Sequence, residues 1–463
     1  IISFAVRPQD AALAELVINN EFKLEAATGL IEPVKTEKNL SIVAVIGENM
    51  KNTPGISARL FGALGKNGIS VIATAQGSSE LNISLVIKNK DAAKAVNALH
   101  QAFFLSDIKT CHLFMAGAGL IGKELIAQMQ KHSEHLMNSH HLEIVLAGIC
   151  NSKTMLVDSE GIPLKDSLKN LSRSKQKATI KDFIRRMAAM NLPNSIFVDC
   201  SASETVADCY EEVMQNSISV ITPNKTANSR DFRSYLRLQE TAARRNVQFL
   251  YETNVGAGLP VISTLNDLLA SGDSIIRIEA VLSGTLSFIF NNFSKENKFS
   301  AVVKEAMERG YTEPDPRVDL SGKDVAKKLL ILARECGMNV SMGDIKIKPL
   351  LPAALRKAKD VAEFLKMLPS YDDYFAGIQQ RATSAEKKLR CIATLNSGKL
   401  SVELREVDAT HPFYNLSGSD NIISFTTQRY HERPLVIRGP GAGAEVTAAG
   451  VFAEIIGLGS YLS

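Results

Sequence analysis

Apolar spacing divides the chain. From residue 40, strand-length apolar runs alternate with helix-spaced ones: strand 40–46, loop 47–55, helix 56–67, strand 69–75, turn 77–80, strand 81–87 and helix 91–104. Asn67-Gly68 is a helix C-cap signal. This βαββα order implies a small antiparallel sheet with its helices on one face. Ahead of it, 3–6 reads as a strand and 8–22 as a helix with Pro8 in its first turn. From residue 110, apolar strands at 111–115, 142–149, 195–199, 218–221 and 247–251 are separated by helical stretches. That is the order of a doubly wound α/β sheet. A strand at 275–282, helices near 286–293 and 299–309, and a mixed region 342–430 make the remainder α+β. The expected divisions are 1–35, 36–109, 110–260 (completed by a C-terminal helix within about 435–463) and 261–434.

The most charged and most constrained stretch is 310–328. Pro314 and Pro316 hold 313–316 extended, since each proline disfavours the helical region for its predecessor. A helix is then expected to start near Ser321, with Ser321 and Asp324 in capping-box spacing. On that helix Val325, Leu329, Leu332 and Cys336 share one buried face. Lys327 points away from this face, while Lys328 lies at its margin, one turn after Asp324. An ordinary ion pair with a helix cap explains the pair equally well. Glu313, Asp315 and Asp319 upstream favour a polar site for a small zwitterion.

Strand 111–115 runs into Gly117-Ala118-Gly119-Leu120-Ile121-Gly122 and then a helix to about 137. Between strand and helix, G-x-G-x-x-G supplies a tight turn, close backbone approach to a pyrophosphate, and close helix–strand packing. The next strand ends in Cys150-Asn151-Ser152-Lys153, with a cation where a ribose-binding carboxylate would sit. This favours a 2′-phosphate, hence NADP over NAD, although lysine is a looser phosphate partner than arginine. Ser201 and Ser203 follow the strand at 195–199, and Lys225 follows the one at 218–221. Both lie at carboxyl ends of parallel strands, where such sheets bind ligands. The bend 252–260 offers Glu252 and inward carbonyls, hard donors for a cation, or is a plain strand-to-helix turn. A second glycine-rich segment, 438–443, precedes a helix from about Ala444 and either closes over the cofactor or is a plain turn.

At 463 residues the chain suggests about three domains. A net charge of +4 is too small to indicate a nucleic-acid partner, and Arg185-Arg186 and Arg244-Arg245 fall on amphipathic helices as solvated faces. The six cysteines are scattered without C-x-x-C, as expected of buried free thiols in a reducing compartment, the cytoplasm. No apolar run reaches membrane-spanning length and no signal peptide is visible. The chain opens on Ile1 within an apparent strand, which suggests that an upstream portion is missing.

Thr53-Pro54-Gly55-Ile56 and Gln76-Gly77-Ser78-Ser79-Glu80 resemble an ACT domain of the aspartokinase type, an amino-acid-sensing, ferredoxin-like module that pairs its sheets. Residues 1–35 look like part of a second ACT unit. The polar residues Asn49, Asn52, Gln76 and Ser78 line a small-molecule pocket or simply form turns. By resemblance Gln76 is the effector-contacting candidate, with threonine the possible effector. The run Glu313-Pro314-Asp315-Pro316-Arg317, Asp319-Leu320-Ser321-Gly322, Asp324 and Lys328, together with 117–122, 222–225 and 252–260, resembles homoserine dehydrogenase over roughly 110–463. The whole resembles the C-terminal part of bifunctional aspartokinase–homoserine dehydrogenases, without the kinase catalytic domain. No aspartate phosphorylation is then expected.

The resemblance implies reduction of L-aspartate 4-semialdehyde to L-homoserine with NADPH or NADH. It makes Lys328 the acid/base, Asp324 its partner, and Lys225 a neighbour of substrate and nicotinamide. It assigns Glu313, Asp319 and Thr285 to the substrate. Gly117, Gly119, Leu120, Ile121, Gly122, Lys153, Ser201, Lys225, Gly310 and Gly441 fall to the cofactor. Glu252, with backbone oxygens of Val255, Ala257 and Leu259, matches a monovalent-cation site for Na+ or K+. A homodimer or homotetramer is implied. Two departures stand out: Lys153 replaces an arginine common in relatives, and Val318 a frequent aspartate. A non-catalytic sensor and a different NADP-dependent reductase are the rival expectations.

Overall fold

The computed structural model describes residues 2–77, 79, 81–103 and 108–461. Ile1, Ser78, Glu80, Phe104 and the side chain of Asn49 lie outside the described residues. Two compact units divide the chain, 1–106 and 107–463.

In the first unit, strands β1 (Leu40–Ile46), β2 (Val71–Gln76) and β3 (Asn82–Lys88) form an antiparallel sheet in the order β1-β3-β2. Leu60 and Leu64 of the helix Ile56–Lys66 and Ala95 and Leu99 of the helix Ala92–Phe103 pack on Ile83, Leu85 and Ile87, so both helices cover one face. The other face leaves Ile42 and Ile46 exposed. Gly47 N–H donates to Leu81 C=O, which brings the 47–55 loop to the sheet end where Gln76 stands, exposed, opposite Ile83. The expected strand at the N-terminus is not formed: residues 2–7 are irregular, and Ile2 and Phe4 are exposed. Extended backbone becomes a strand only by pairing, and among the described residues none pairs with this segment. The helix Ala11–Glu21 forms but buries no residue.

The second unit holds two six-stranded sheets. One comprises β4 (Lys109–Ala116), β5 (Leu142–Cys150), β6 (Met155–Val157), β7 (Ser195–Asp199), β8 (Ser219–Ile221) and β9 (Phe249–Leu250), ordered β6-β5-β4-β7-β8-β9. All neighbours are parallel except β6. The order reverses at β4, with β5 on one side and β7 on the other, so the ligand crevice opens beyond the carboxyl ends of β4 and β7. The C-terminal helix Ala444–Tyr461 packs Val451, Ile455 and Leu458 into the same core as Leu113, Leu125 and Ile126.

The other sheet comprises β10 (Ile275–Val281), β11 (Ile345–Ile347), β12 (Lys388–Asn396), β13 (Lys399–Val407), β14 (Asp420–Thr427) and β15 (Leu435–Pro440), ordered β11-β13-β12-β10-β14-β15. Residues 435–440 are therefore an edge strand here, and only the helix after them joins the nucleotide-binding layer. The helix Lys323–Glu335 packs across this sheet and is buried almost all round, which gives its few polar side chains fixed surroundings.

On the opposite face, Glu279 of β10 gathers Arg405 (2.6 Å), Arg277 (3.4 Å) and His411 (3.8 Å). The nearby His411 and the two arginines outweigh burial and hold the Glu279 carboxyl down at about 2. A carboxyl lowered on folding stabilises above its unfolded value and loses that stabilisation as pH falls towards its folded one. Glu279→Gln is expected to cost about 3 kcal/mol at pH 6. Urea unfolding of both proteins at pH 6 and pH 4 checks this: the gap narrows at pH 4, and a gap independent of pH contradicts it.

Candidate active site

The glycine loop is shaped by contact. Gly117 has φ +101°, and a Cβ there would lie 2.7–2.8 Å from backbone atoms of Cys200 and Ser201. At Gly122 a Cβ would lie 2.1 Å from Gly117 O. Gly119 differs, with nothing within 4 Å of its missing Cβ, so backbone there is open to a phosphate. Leu120, exposed, and Ile121, half-buried, begin the helix Leu120–His140, whose unpaired first-turn N–H groups favour an anion.

Beyond β5, Asn151 Oδ1 accepts the N–H groups of Lys153 and Thr154, both at 2.8 Å, and the turn leaves Lys153 exposed. Beyond β7, the fully buried Asp199 accepts Ser201 N–H (2.7 Å), Tyr210 O–H and Asn224 Nδ2 (3.1 Å). Burial pushes this carboxyl up and the hydrogen bonds pull it down, with burial prevailing. Asp199 thereby ties the Ser201 turn to the turn that carries Lys225.

Lys225 stands at the start of the short helix Thr226–Ser229, its ammonium 3.4 Å from Asp324 Oδ1. The other oxygen, Oδ2, lies 2.9 Å from Lys328 Nζ. Lys328 is 9% exposed, and its ammonium also donates to Leu282 C=O at 2.6 Å, at the end of β10. Lys327 is exposed, as the helix-face pattern requires. Burial lowers the Lys328 pKa; Asp324 raises it and Lys225 lowers it further, with burial prevailing. Burial also acts on Asp324, but Lys328 and Lys225 together hold its carboxyl well below the usual range.

Thr285 Oγ1 donates to Tyr311 C=O and lies 3.2 Å from Asp319 Oδ1, while Asp319 Oδ2 accepts Glu313 N–H at 2.9 Å. Burial pushes the Asp319 carboxyl up. Glu313 holds its own carboxylate in solvent. Asp315 is paired with Arg317 (2.6 Å) and serves as N-cap of a separate helix, Pro316–Leu320.

That extra helix corrects the expected capping box. Pro316 fits the first helical position, Asp315 caps it, and Gly322 at φ +72° then starts the next helix. Ser321 bonds Val318 C=O and Lys323 N–H instead, and Asp324 is left to the two lysines. Gly310, exposed at φ +71°, ends the helix Phe299–Glu308. Gly441 is buried, and a Cβ there would lie 1.9 Å from Asn421 Cγ, so packing against Asn421 requires glycine at this position.

The 252–260 bend corrects another expectation. The Glu252 carboxylate accepts the N–H groups of Val261 (2.7 Å), Ile262 (2.6 Å) and Ser263 (2.8 Å), capping the helix Ile262–Ala270. It is committed there rather than to a metal. Among the described residues, the carbonyls of Val255 and Ala257 accept no hydrogen bond, whereas those of Glu252 and Leu259 each accept one. Glu454, from the C-terminal helix, accepts Glu252 N–H at 2.7 Å; burial pushes its carboxyl up to about 8, and its Oε2 has no partner.

Sequence reasoning missed Asp199, Tyr210, Asn228, Asn254, Arg334 and Glu454. Only Arg334 carried a signal, a lone arginine closing the apolar run 329–333.

A strand-switch crevice with a glycine loop, joined to a buried ammonium braced by a carboxylate, defines a nicotinamide-dependent dehydrogenase. Residues 117–252 match the NAD-binding domain of homoserine dehydrogenase, 260–456 the homoserine dehydrogenase domain and 43–103 an ACT domain. Homoserine dehydrogenase of Schizosaccharomyces pombe is 41% identical over 351 residues, covering 74% of this chain and 93% of that protein. Bifunctional aspartokinase/homoserine dehydrogenase 1 of Zea mays, a chloroplastic protein, is 44% identical over 464 residues, covering 100% of this chain and 50% of that protein. A hyperthermophilic archaeal homoserine dehydrogenase, solved in complex with NADPH, superposes with a TM-score of 0.59 at 22% identity, over 75% of this chain and 97% of that one. The chain belongs to the homoserine dehydrogenase family of oxidoreductases and carries an ACT domain. It spans about half the length of the bifunctional relatives it matches.

Proposed function

We propose that this chain reduces L-aspartate 4-semialdehyde to L-homoserine, using NADPH with NADH as a second donor. The observation that carries this is the placing of Asp324 between Lys225 and Lys328, in contact-by-contact continuity with the glycine loop through Asn224, Asp199 and Ser201. When bound, the nicotinamide supplies hydride. Negative charge then grows on the aldehyde oxygen, and Lys328, held against Leu282 C=O, delivers the proton. Asp324 opposes the effect of burial on that ammonium. Lys225 adds positive charge at the reacting oxygen. Asp319, oriented by Thr285 and Glu313 N–H, and the Glu313 carboxylate receive the substrate's ammonium end. Lys153, exposed beyond β5 with no carboxylate in its turn, supports a 2′-phosphate and hence NADP.

A monovalent cation is proposed on the carbonyls of Val255 and Ala257, joined by those of Glu252 and Leu259. Neutral oxygen donors suit a singly charged ion, and the Glu252 contribution passes from carboxylate to backbone. The free cysteines favour a reducing compartment, the cytoplasm. Among the described residues, no helix is long and apolar enough to cross a membrane. Threonine is proposed to bind the ACT unit near Gln76, and the exposed Ile42 and Ile46 face supports a homodimer or homotetramer.

The test is homoserine oxidation followed at 340 nm with NADP and with NAD, each with and without threonine. Reduced cofactor is expected with both, faster with NADP. Well-folded protein that forms none with either cofactor sinks the proposal.

A further inference from the structure

Arg334 lies ten residues beyond Asp324 on the helix Lys323–Glu335 and is 3% exposed. A buried guanidinium normally meets a carboxylate. Here its hydrogen bonds go to backbone carbonyls: Nη1 to Asn228 (2.8 Å), Nη2 to Arg230 (2.7 Å) and Val340 (3.0 Å), and Nε to Val340 (3.2 Å). The rings of Phe232 and Tyr235 lie 5.6 and 5.2 Å from its central carbon. Five N–H donors in a rigid fork fix a backbone path in a way a flexible ammonium does not. The path fixed is 228–230, the far end of the short helix that Lys225 begins.

The same turn is tied from its other side. Asn228 Nδ2 donates to Asn254 Oδ1 (3.0 Å), Asn254 Nδ2 to Thr222 C=O (2.8 Å) and Asn224 Nδ2 to Asp199 Oδ2 (3.1 Å). Polar side chains thus clamp 222–230 to the sheet, and Arg334 clamps it to the helix. One rigid helix therefore meets the Lys225 turn twice, through the Asp324 side chain and through the main-chain grip of Arg334.

We propose that Arg334 is a positioning residue: it locks the Lys225 turn against the helix bearing Asp324 and Lys328, and so sets the distance between the two ammonium groups. This rests on the homoserine dehydrogenase activity proposed above. Lys225 lowers the Lys328 pKa. If the turn drifts, that repulsion weakens and Lys328 holds its proton to higher pH.

The test compares the wild-type chain with Arg334→Lys and Arg334→Met. Both variants are expected to lose about tenfold or more in kcat, Met more than Lys, with the KM for NADPH within about twofold. The alkaline limb of the reductive kcat profile is expected to move to higher pH. An arginine that merely supports the fold lowers the melting temperature without moving the limb, and that result overturns the proposal. Failure of both variants to fold overturns it as well, since the arginine would then hold the fold rather than the site.

A crystal structure of Arg334→Lys gives a reading independent of turnover. The Lys225 Nζ to Asp324 separation, 3.4 Å here, is expected to lengthen beyond ion-pair contact. An unchanged separation overturns the proposal. Inactive wild type points instead to failure of the assigned activity, and the separation then decides this inference alone.

Discussion

Lys328→Ala is expected to lower kcat by about a thousandfold, within the range over which positioned acid–base groups act, while NADPH binds within about twofold of wild type. The proposed cofactor site is the glycine loop and its helix start, whereas Lys328 is bonded to Leu282 C=O and Asp324. The proton, by contrast, has few sources. Lys328 is buried and faces inward, bonded to Leu282 C=O and Asp324, whereas Lys225 is 3.4 Å from the same carboxylate and more exposed. Lys327→Ala is the control. Its side chain is in solvent one position away, and its turnover is expected to match wild type.

With Lys328 in its proposed role and its pKa lowered by burial, reduction is expected to slow as pH rises through that lowered value, and oxidation to speed up over the same interval. Stopped-flow turnover and fluorescence titration of NADPH check the two halves. Near-normal kcat in Lys328→Ala removes this lysine from the chemistry.

The contrast between Lys327 and Lys328 was legible because it depends only on helical period and an apolar stripe. The glycine loop was legible for a similar reason, since strand, loop and helix occur in order and each glycine answers a local steric demand. Interactions set by distant chain segments were not legible. Ser321 and Asp324 have capping-box spacing, yet Asp315 and Pro316 nucleate a helix of their own and free Asp324 for two lysines, one of them 99 residues earlier. Glu252 looked like a metal carboxylate because nothing local shows that the next helix begins under it. The N-terminal apolar alternation suggested a strand, but a strand exists only with a partner, and sequence does not name one. Arg334 sat in an apolar run without any visible acceptor, because its acceptors are main-chain oxygens: one six residues on and two about a hundred residues earlier.

Asp324→Asn is expected to reduce kcat for semialdehyde reduction by about a hundredfold near pH 7.5 and to move its alkaline limb towards acid. The carboxylate is the attractive charge between two ammonium groups, and it raises the Lys328 pKa against burial and against Lys225. An amide keeps the shape and one acceptor oxygen but removes that charge. Burial and Lys225 then act on Lys328 with less opposition, so its proton is lost at lower pH and less of the enzyme carries the acid at neutrality. The displacement is opposite in sign to that expected when Lys225 drifts away, because there a repulsive charge is removed rather than an attractive one. The two variants thus separate the contributions of Asp324 and Lys225 to one titration. A reductive kcat–pH profile for Asp324→Asn, with substrate saturating at each point, makes the measurement. A limb that stays in place while kcat remains within about fivefold of wild type means that Asp324 holds Lys328 mechanically and does not tune its proton.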